Sequence, residues 1–190
     1  MSITITNLNI QYDDNKILSN FSAQIDTNEN IALIGPSGIG KTSIINGIMD
    51  LIPYEGNISH SIPPVFAAVF QEDRLCAGLS VYTNIKLTCG KMSRQEINSY
   101  IRRAGLEPSA NVNTLSGGMK RRVAILRALL APSNILIMDE PFKGLDSDTK
   151  ELIMTMVKEK ASDKTMFLIT HDISEAQFFN CRLIDISAYV

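Results

Sequence analysis

IALIGPSGIGKT, Ile31 to Thr42, is the stretch from which the fold of this chain is read. The apolar run Ile31-Ala32-Leu33-Ile34 leads into Gly35-Pro36-Ser37-Gly38-Ile39-Gly40 and then Lys41-Thr42-Ser43. Beyond the loop, Ile44, Ile45, Ile48 and Ile52 fall on one side of a helical pattern. Strand, glycine loop and helix in this order are the setting in which GxxxxGK[ST] forms a phosphate-binding loop. The glycines let successive backbone N–H groups turn inward as a nest for phosphate oxygens. The helix behind adds unpaired N–H groups and the positive end of its dipole. Lys41 is expected on the β- and γ-phosphates, and the Thr42 hydroxyl on Mg²⁺. An ordinary glycine turn is the competing reading, disfavoured by the complete pattern in its proper context.

Ile135-Leu136-Ile137-Met138-Asp139-Glu140 carries the second signal. Open α/β sheets bind ligands at the carboxyl ends of their strands, and here two carboxylates follow four apolar residues. Asp139 is expected to hold Mg²⁺ through water. Glu140 would face the γ-phosphate and orient or deprotonate the attacking water. A pair of acids beginning a loop is the plainer alternative, and Pro141 directly after them weighs against it.

The composition fits a globular domain. Of 190 residues, 45% are hydrophobic and 20% charged, which suits about one domain with a sizeable core. A net charge of -2 and a pI near 5.7 give no general electrostatic grip on nucleic acid. No apolar run approaches the roughly 18 residues of a membrane-spanning helix, and no secretory leader is visible. Cys76, Cys89 and Cys181 lack CxxC spacing, which argues against a disulfide framework or zinc cluster and suits a reducing cytosol.

The patterning divides the chain into layers. Ile3, Ile5, Leu8 and Ile10, then Phe21, Ala23 and Ile25, alternate or nearly alternate with polar residues, as half-buried antiparallel strands do. Asp13-Asp14-Asn15 between them is a turn signal. From Ile31 the strands become continuous apolar runs: Ile31 to Ile34, Ile135 to Met138, Met166 to Ile169. Such runs belong to a parallel sheet covered on both faces. Gly78 to Ala110 reads as helical with polar surfaces. The expected fold is α/β: a mostly parallel core, a small antiparallel layer, and a helical subdomain inserted at about 72–115, all in one domain of 1–190.

Leu115-Ser116-Gly117-Gly118-Met119 opens a helix reaching about Leu130, with Val123, Leu126 and Leu130 as its apolar stripe. Ser116 is a good N-cap, and Gly117 and Gly118 permit close backbone approach. A capped helix start is the bland account. A second anion-binding tip beside a single nucleotide loop makes sense if the tip serves a partner's nucleotide. Arg121 and Arg122 are read as a solvated helix face.

With these motifs in order, the chain resembles the nucleotide-binding subunits of ATP-binding cassette (ABC) transporters over nearly its whole length. GPSGIGKT resembles the family's phosphate loop, LSGGMKRR (Leu115 to Arg122) its signature, and ILIMDEP (Ile135 to Pro141) its acidic strand end. The resemblance implies ATP and Mg²⁺ as ligands. It places Gln71, in VFQEDRL, at the glutamine loop that senses Mg²⁺ and meets the membrane subunit. Asp146, in KGLDSDT, falls on the loop crossing a dimer interface. His171, in LITHDISEA, matches the switch histidine at the γ-phosphate, and Tyr12, 23 residues before Gly35, the aromatic that stacks on adenine.

The implied protein is a paired cassette with ATP at the interface. It would sit on the cytoplasmic face of the membrane, bound to a permease and served by a substrate-binding protein. The wording FQEDRL and the signature methionine look most like importers of the nitrate, sulfonate and taurine group. An exporter subunit, a soluble cassette for nucleic-acid work and an inactive regulator are the alternatives. The acidic pI opposes the second; Lys41, Gln71, Glu140 and His171 together oppose the third. Lys41 to Gln71 is only 30 residues, so the antiparallel layer is expected to have lost a strand or hairpin. Asn180-Cys181-Arg182 departs from the family's acidic-basic pair, and the end at Val190 leaves no room for a regulatory domain.

Overall fold

The computed structural model describes residues 2–13 and 15–190. Two strands open the chain. β1 (Ile3–Tyr12) and β2 (Asn15–Ile25) pair antiparallel, with Ile3 opposite Ile25, Ile5 opposite Ala23 and Tyr12 opposite Asn15. The turn signal between them lies partly outside the described residues, at Asp14. Ile3, Ile5, Leu8 and Ile10 are buried, as their near-alternation with polar residues requires. The sheet is completed on the other edge of β1 by a strand from further on.

β3 (Asn30–Ile34) leads through the glycine loop into α1 (Lys41–Ile48). The helix stops one turn short of Ile52. Asp50 adopts φ +58, and the N–H groups of Asp50 and Leu51 turn back to the carbonyls of Gly47 and Asn46. Pro53 follows, so the chain cannot continue the helix, and Ile52 packs on the core from outside it. β4 (Glu55–His60) then joins β1 antiparallel, giving a three-stranded layer of order β2-β1-β4.

β5 (Phe66–Val69) precedes a run of helices, α2 (Val81–Lys86), α3 (Arg94–Arg103) and α4 (Gly117–Leu129). Ser80 caps α2, and Ser93 with Glu96 forms a capping box on α3. β6 (Ile135–Asp139), α5 (Ser147–Lys160), β7 (Thr165–Ile169), α6 (Ile173–Phe178) and β8 (Arg182–Asp185) complete the order. The second sheet runs β5-β6-β7-β3-β8, and every neighbouring pair is parallel.

The continuous apolar runs now have their reason. Successive side chains of β6 and β7 point to opposite faces. Ile135, Ile137, Phe167 and Ile169 join a cluster with α1 and the antiparallel layer. Leu136, Met138, Met166 and Leu168 join another with α2 to α5. Each is at most 1% exposed, and full burial of such a side chain contributes about 1.5–3 kcal/mol. Among the described residues, no helix is long and apolar enough to cross a membrane.

Candidate functional site

Because the five strands are parallel, β5, β6, β7 and β3 all deliver their carboxyl ends to one edge. A cavity of about 260 Å³ opens there. From the end of β3 it is lined by Ser37, Gly38, Gly40, Lys41, Thr42 and Ser43, from β6 by Asp139 and Glu140, from beyond β7 by His171, and from beyond β5 by Gln71. Gly35, Gly38 and Gly40 have φ of +142, +79 and +110. At Gly40 a Cβ atom would also lie 2.7 Å from Cγ2 of Ile17, so glycine is required twice over. Ile17, on β2, is a cavity wall that the sequence reading missed.

Lys41 is buried, and its Nζ donates to the carbonyls of Gly35 at 2.8 Å and Pro36 at 2.7 Å. Burial pushes its pKa down, opposed by the nearby carboxylates of Glu140 and Asp139. The Thr42 hydroxyl donates to Oδ2 of Asp139 at 2.8 Å. Desolvation raises the pKa of Asp139, only partly offset by that hydrogen bond. A cation beside these two oxygens would relieve the cost of a charged, buried carboxylate. The hard oxygen donors suit Mg²⁺, which takes few protein ligands and keeps the rest for water and phosphate.

Glu140 is held by its backbone as much as by its side chain. Its φ is +44, in the left-handed region, and its N–H donates to the carbonyl of Ile169 at 2.9 Å. Oε1 stands 3.2 Å from Nε2 of His171, and Oε2 accepts from Nζ of Lys143 at 2.8 Å. The Lys143 hydrogen bond is the main cause of a lowered Glu140 pKa, with burial opposing it. His171 Nε2 also lies 3.4 Å from Oγ of Ser37, so the histidine bridges acid and phosphate loop. Behind it, Thr170 donates to Glu175 at 2.6 Å, while Lys150 joins Glu175 and Asp172 at 2.6 and 2.7 Å. That network fixes the corner on which His171 stands.

Other expected residues stand apart from this cavity. Ser116 caps α4, accepting from the Met119 N–H, and Asp146 caps α5, accepting from the Thr149 N–H at 3.0 Å. Gly117 and Gly118 line a second cleft of about 300 Å³, shared with Gln71, Glu140, Lys143 and Arg121. Tyr12 ends β1 with 43% of its surface exposed and lines neither cavity. Gln71 and Glu140 belong to both.

The reading of Arg121 and Arg122 as a solvated face is overturned. Arg121 is 6% exposed and donates to the carbonyls of Phe70, Asp139, Glu140 and Pro141 at 2.6 to 2.9 Å. Arg122 is half-buried and donates to the Ala104 carbonyl at 2.6 Å. A basic pair in a helix usually points to water; here the groups these guanidiniums satisfy are loop carbonyls lying 18 to 51 residues away in sequence. Nothing in a local pattern reveals such partners.

The chain is similar to known proteins of one family and fold. Residues 18–143 match the family model described as ABC transporter. The taurine import ATP-binding protein TauB of Escherichia coli K12 is 32% identical over 203 residues, covering 98% of this chain and 80% of that protein. Its counterpart in Shigella dysenteriae matches with the same identity and shares. A dimeric ATP-binding cassette in a post-hydrolysis state, bound to ADP and Pi, superimposes with a TM-score of 0.83 at 29% identity, covering 97% of this chain and 94% of that one. A bacterial Atm1-family ABC exporter with ATP bound gives 0.87 at 26% identity, over 98% of this chain and 37% of the exporter's. The fold is thus shared with cassettes described as bound to ADP and Pi and to ATP. The chain belongs to the ABC transporter family, as an ATP-binding cassette whose hydrolysis of ATP energises transport.

Proposed function

We propose that this chain works on the cytoplasmic face of a membrane, hydrolysing ATP to drive a separate permease that imports a small solute. The supporting observation is that Lys41, Thr42, Asp139, Glu140 and His171 converge on one cavity at three adjacent strand ends. Import is favoured over export because the curated relatives are import proteins; the solute class they suggest is a small sulfonate such as taurine.

In this reading Gly35 to Ser43 wrap the phosphates, and Lys41 exchanges its two loop carbonyls for phosphate oxygens. Thr42, Asp139 and Gln71 would hold Mg²⁺, which when bound neutralises charge on the β- and γ-phosphates. Glu140 takes the proton of the attacking water, with His171 fixing its carboxylate against the phosphate loop. Losing the Lys143 hydrogen bond would return the Glu140 pKa toward the ordinary carboxylate range and make it a better base. Tyr12 stacks on adenine. Ser116, Gly117, Gly118 and Asp146 act on the nucleotide of a second copy.

Glu140→Gln separates binding from chemistry. Glutamine keeps the shape but cannot accept the proton, and general-base assistance is worth roughly 10²–10⁴-fold in rate. Turnover should fall by that factor while ATP affinity holds. With one negative charge fewer beside the triphosphate, the variant should accumulate as a Mg-ATP-dependent dimer in size-exclusion elution. Turnover near the parent rate would remove Glu140 from its role and leave His171 to position the water. Co-purification with an untagged membrane protein tests the transport partner.

A further inference from the structure

Eight residues other than glycine adopt positive φ among those described, and six of them are Asn or Asp, which tolerate that conformation best. The other two are Glu140, at +44, and Arg74, at +46. Both have a carbonyl that accepts from an arginine of α4. Arg121 Nη2 donates to the Glu140 carbonyl at 2.7 Å, and Arg127 Nη1 to the Arg74 carbonyl at 2.8 Å. The same two guanidiniums hold the neighbouring residues: Nη2 of Arg121 reaches the Asp139 carbonyl at 2.7 Å, and Nη2 of Arg127 the Asp73 carbonyl at 2.9 Å. Strained backbone of this kind persists only where its surroundings over-determine it. At Glu140 the backbone restraints are the N–H bond to Ile169 on one side and, on the carbonyl, Arg121 at 2.7 Å with the more distant Lys143 N–H at 3.3 Å.

We propose that Arg121 is a positioning residue for hydrolysis: it holds Glu140 in its left-handed conformation and ties it to the loop that carries Gln71. The argument rests on the assignment of Glu140 as the base. Nη1 of Arg121 reaches the Phe70 carbonyl at 2.6 Å, the Gln71 carbonyl at 3.4 Å and the Asp73 carboxylate at 3.2 Å. One planar fork therefore spans the backbones of both cavity-lining loops from a helix whose tip carries Ser116. Only a guanidinium presents five donors in a fixed plane; lysine could satisfy three acceptors at most, from a single point. Arg121 is 6% exposed, lines no wall of the phosphate cavity and makes its hydrogen bonds to residues 70–73 and 139–141. Its removal should move the Glu140 carboxylate rather than weaken ATP binding.

A double-substitution cycle on the full chain tests this. Arg121→Gln should lower kcat by about tenfold to 10²-fold, the cost of a misplacement near 1 Å, with ATP affinity within about threefold of the parent. In a Glu140→Gln background, where no base remains to be positioned, the same change should alter residual single-turnover hydrolysis by less than about twofold. A purely structural arginine would instead cost the same factor in both backgrounds, and that additivity would overturn the proposal. So would an ATP affinity that falls in step with kcat. If Arg121→Gln does not fold, Arg121→Lys, which keeps the charge but not the fork, is taken through the same cycle under the same criteria. Failure of Glu140→Gln itself to lower kcat would strike the assignment of the base, a result distinct from additivity at Arg121.

Discussion

Tyr12 pairs with Asn15 at the end of the first hairpin, two residues before Ile17, which walls the phosphate cavity. In the proposed reading a nucleoside extending from that cavity past Ile17 would meet the exposed Tyr12 ring, which belongs to neither core cluster of the described residues. Base–aromatic stacking is worth about 1–3 kcal/mol by truncation, so Tyr12→Ala should weaken ATP binding by about fivefold to 150-fold. Tyr12→Phe should leave it nearly unchanged, because the ring and not the hydroxyl is used. A titration with ATP decides, and unchanged affinity in the alanine variant would make Tyr12 a plain edge residue. Ile17 illustrates what a sequence conceals at this scale. It is an unremarkable apolar residue in an alternating strand, and its 2.7 Å approach to Gly40 adds a steric reason for glycine there beside the φ of +110.

The corner between β7 and α6 is held by charge. Asp172 caps α6, accepting from the N–H of Ser174, and its other oxygen accepts from Lys150 at 2.7 Å. Chiefly through that lysine, its pKa is lowered from 3.8 to about 2. A folded pKa below the unfolded one means the pair stabilises fully above about pH 4 and loses its effect as pH falls through about 2. The stability difference between the parent and Lys150→Met, from denaturant melts, should therefore be largest above about pH 4 and shrink toward about pH 2. A difference constant with pH would show that Lys150 contributes only packing. Elements such as β6 and β7 are legible in sequence because both faces are buried, which forces continuous apolar runs. β8 is an edge strand with mostly exposed residues and no such run, and the early stop of α1 depends on the backbone turn at Asp50. The cavity was readable for the same reason as the strands: Gly35 to Thr42, Asp139, Glu140 and His171 are fixed to their ends. The grip of α4 on two loops was not, since long-range bonds to carbonyls leave no local pattern.

Within one molecule the tips of α4 and α5 do not reach the phosphate cavity: Ser116 and Asp146 cap their own helices and line none of its wall. A helix N-terminus favours anions, and the similar cassette bound to ADP and Pi is dimeric. In the proposed two-fold pairing each Ser116 faces the nucleotide held by the other copy's Lys41, so every site would take parts from both chains. An isolated protomer would then be nearly inactive, and specific activity should rise with protein concentration until the dimer is saturated. Lys41→Ala and Ser116→Arg should each abolish turnover alone. Mixed in equal amounts, half the dimers would pair unlike chains, each with one intact loop facing one intact tip and one site doubly defective. Activity should return to about a quarter of the parent's, a value fixed by counting sites in a two-fold assembly. Hydrolysis strictly proportional to concentration, with nothing restored on mixing, would mean that each chain completes its own site and that the α4 tip serves only to start its helix.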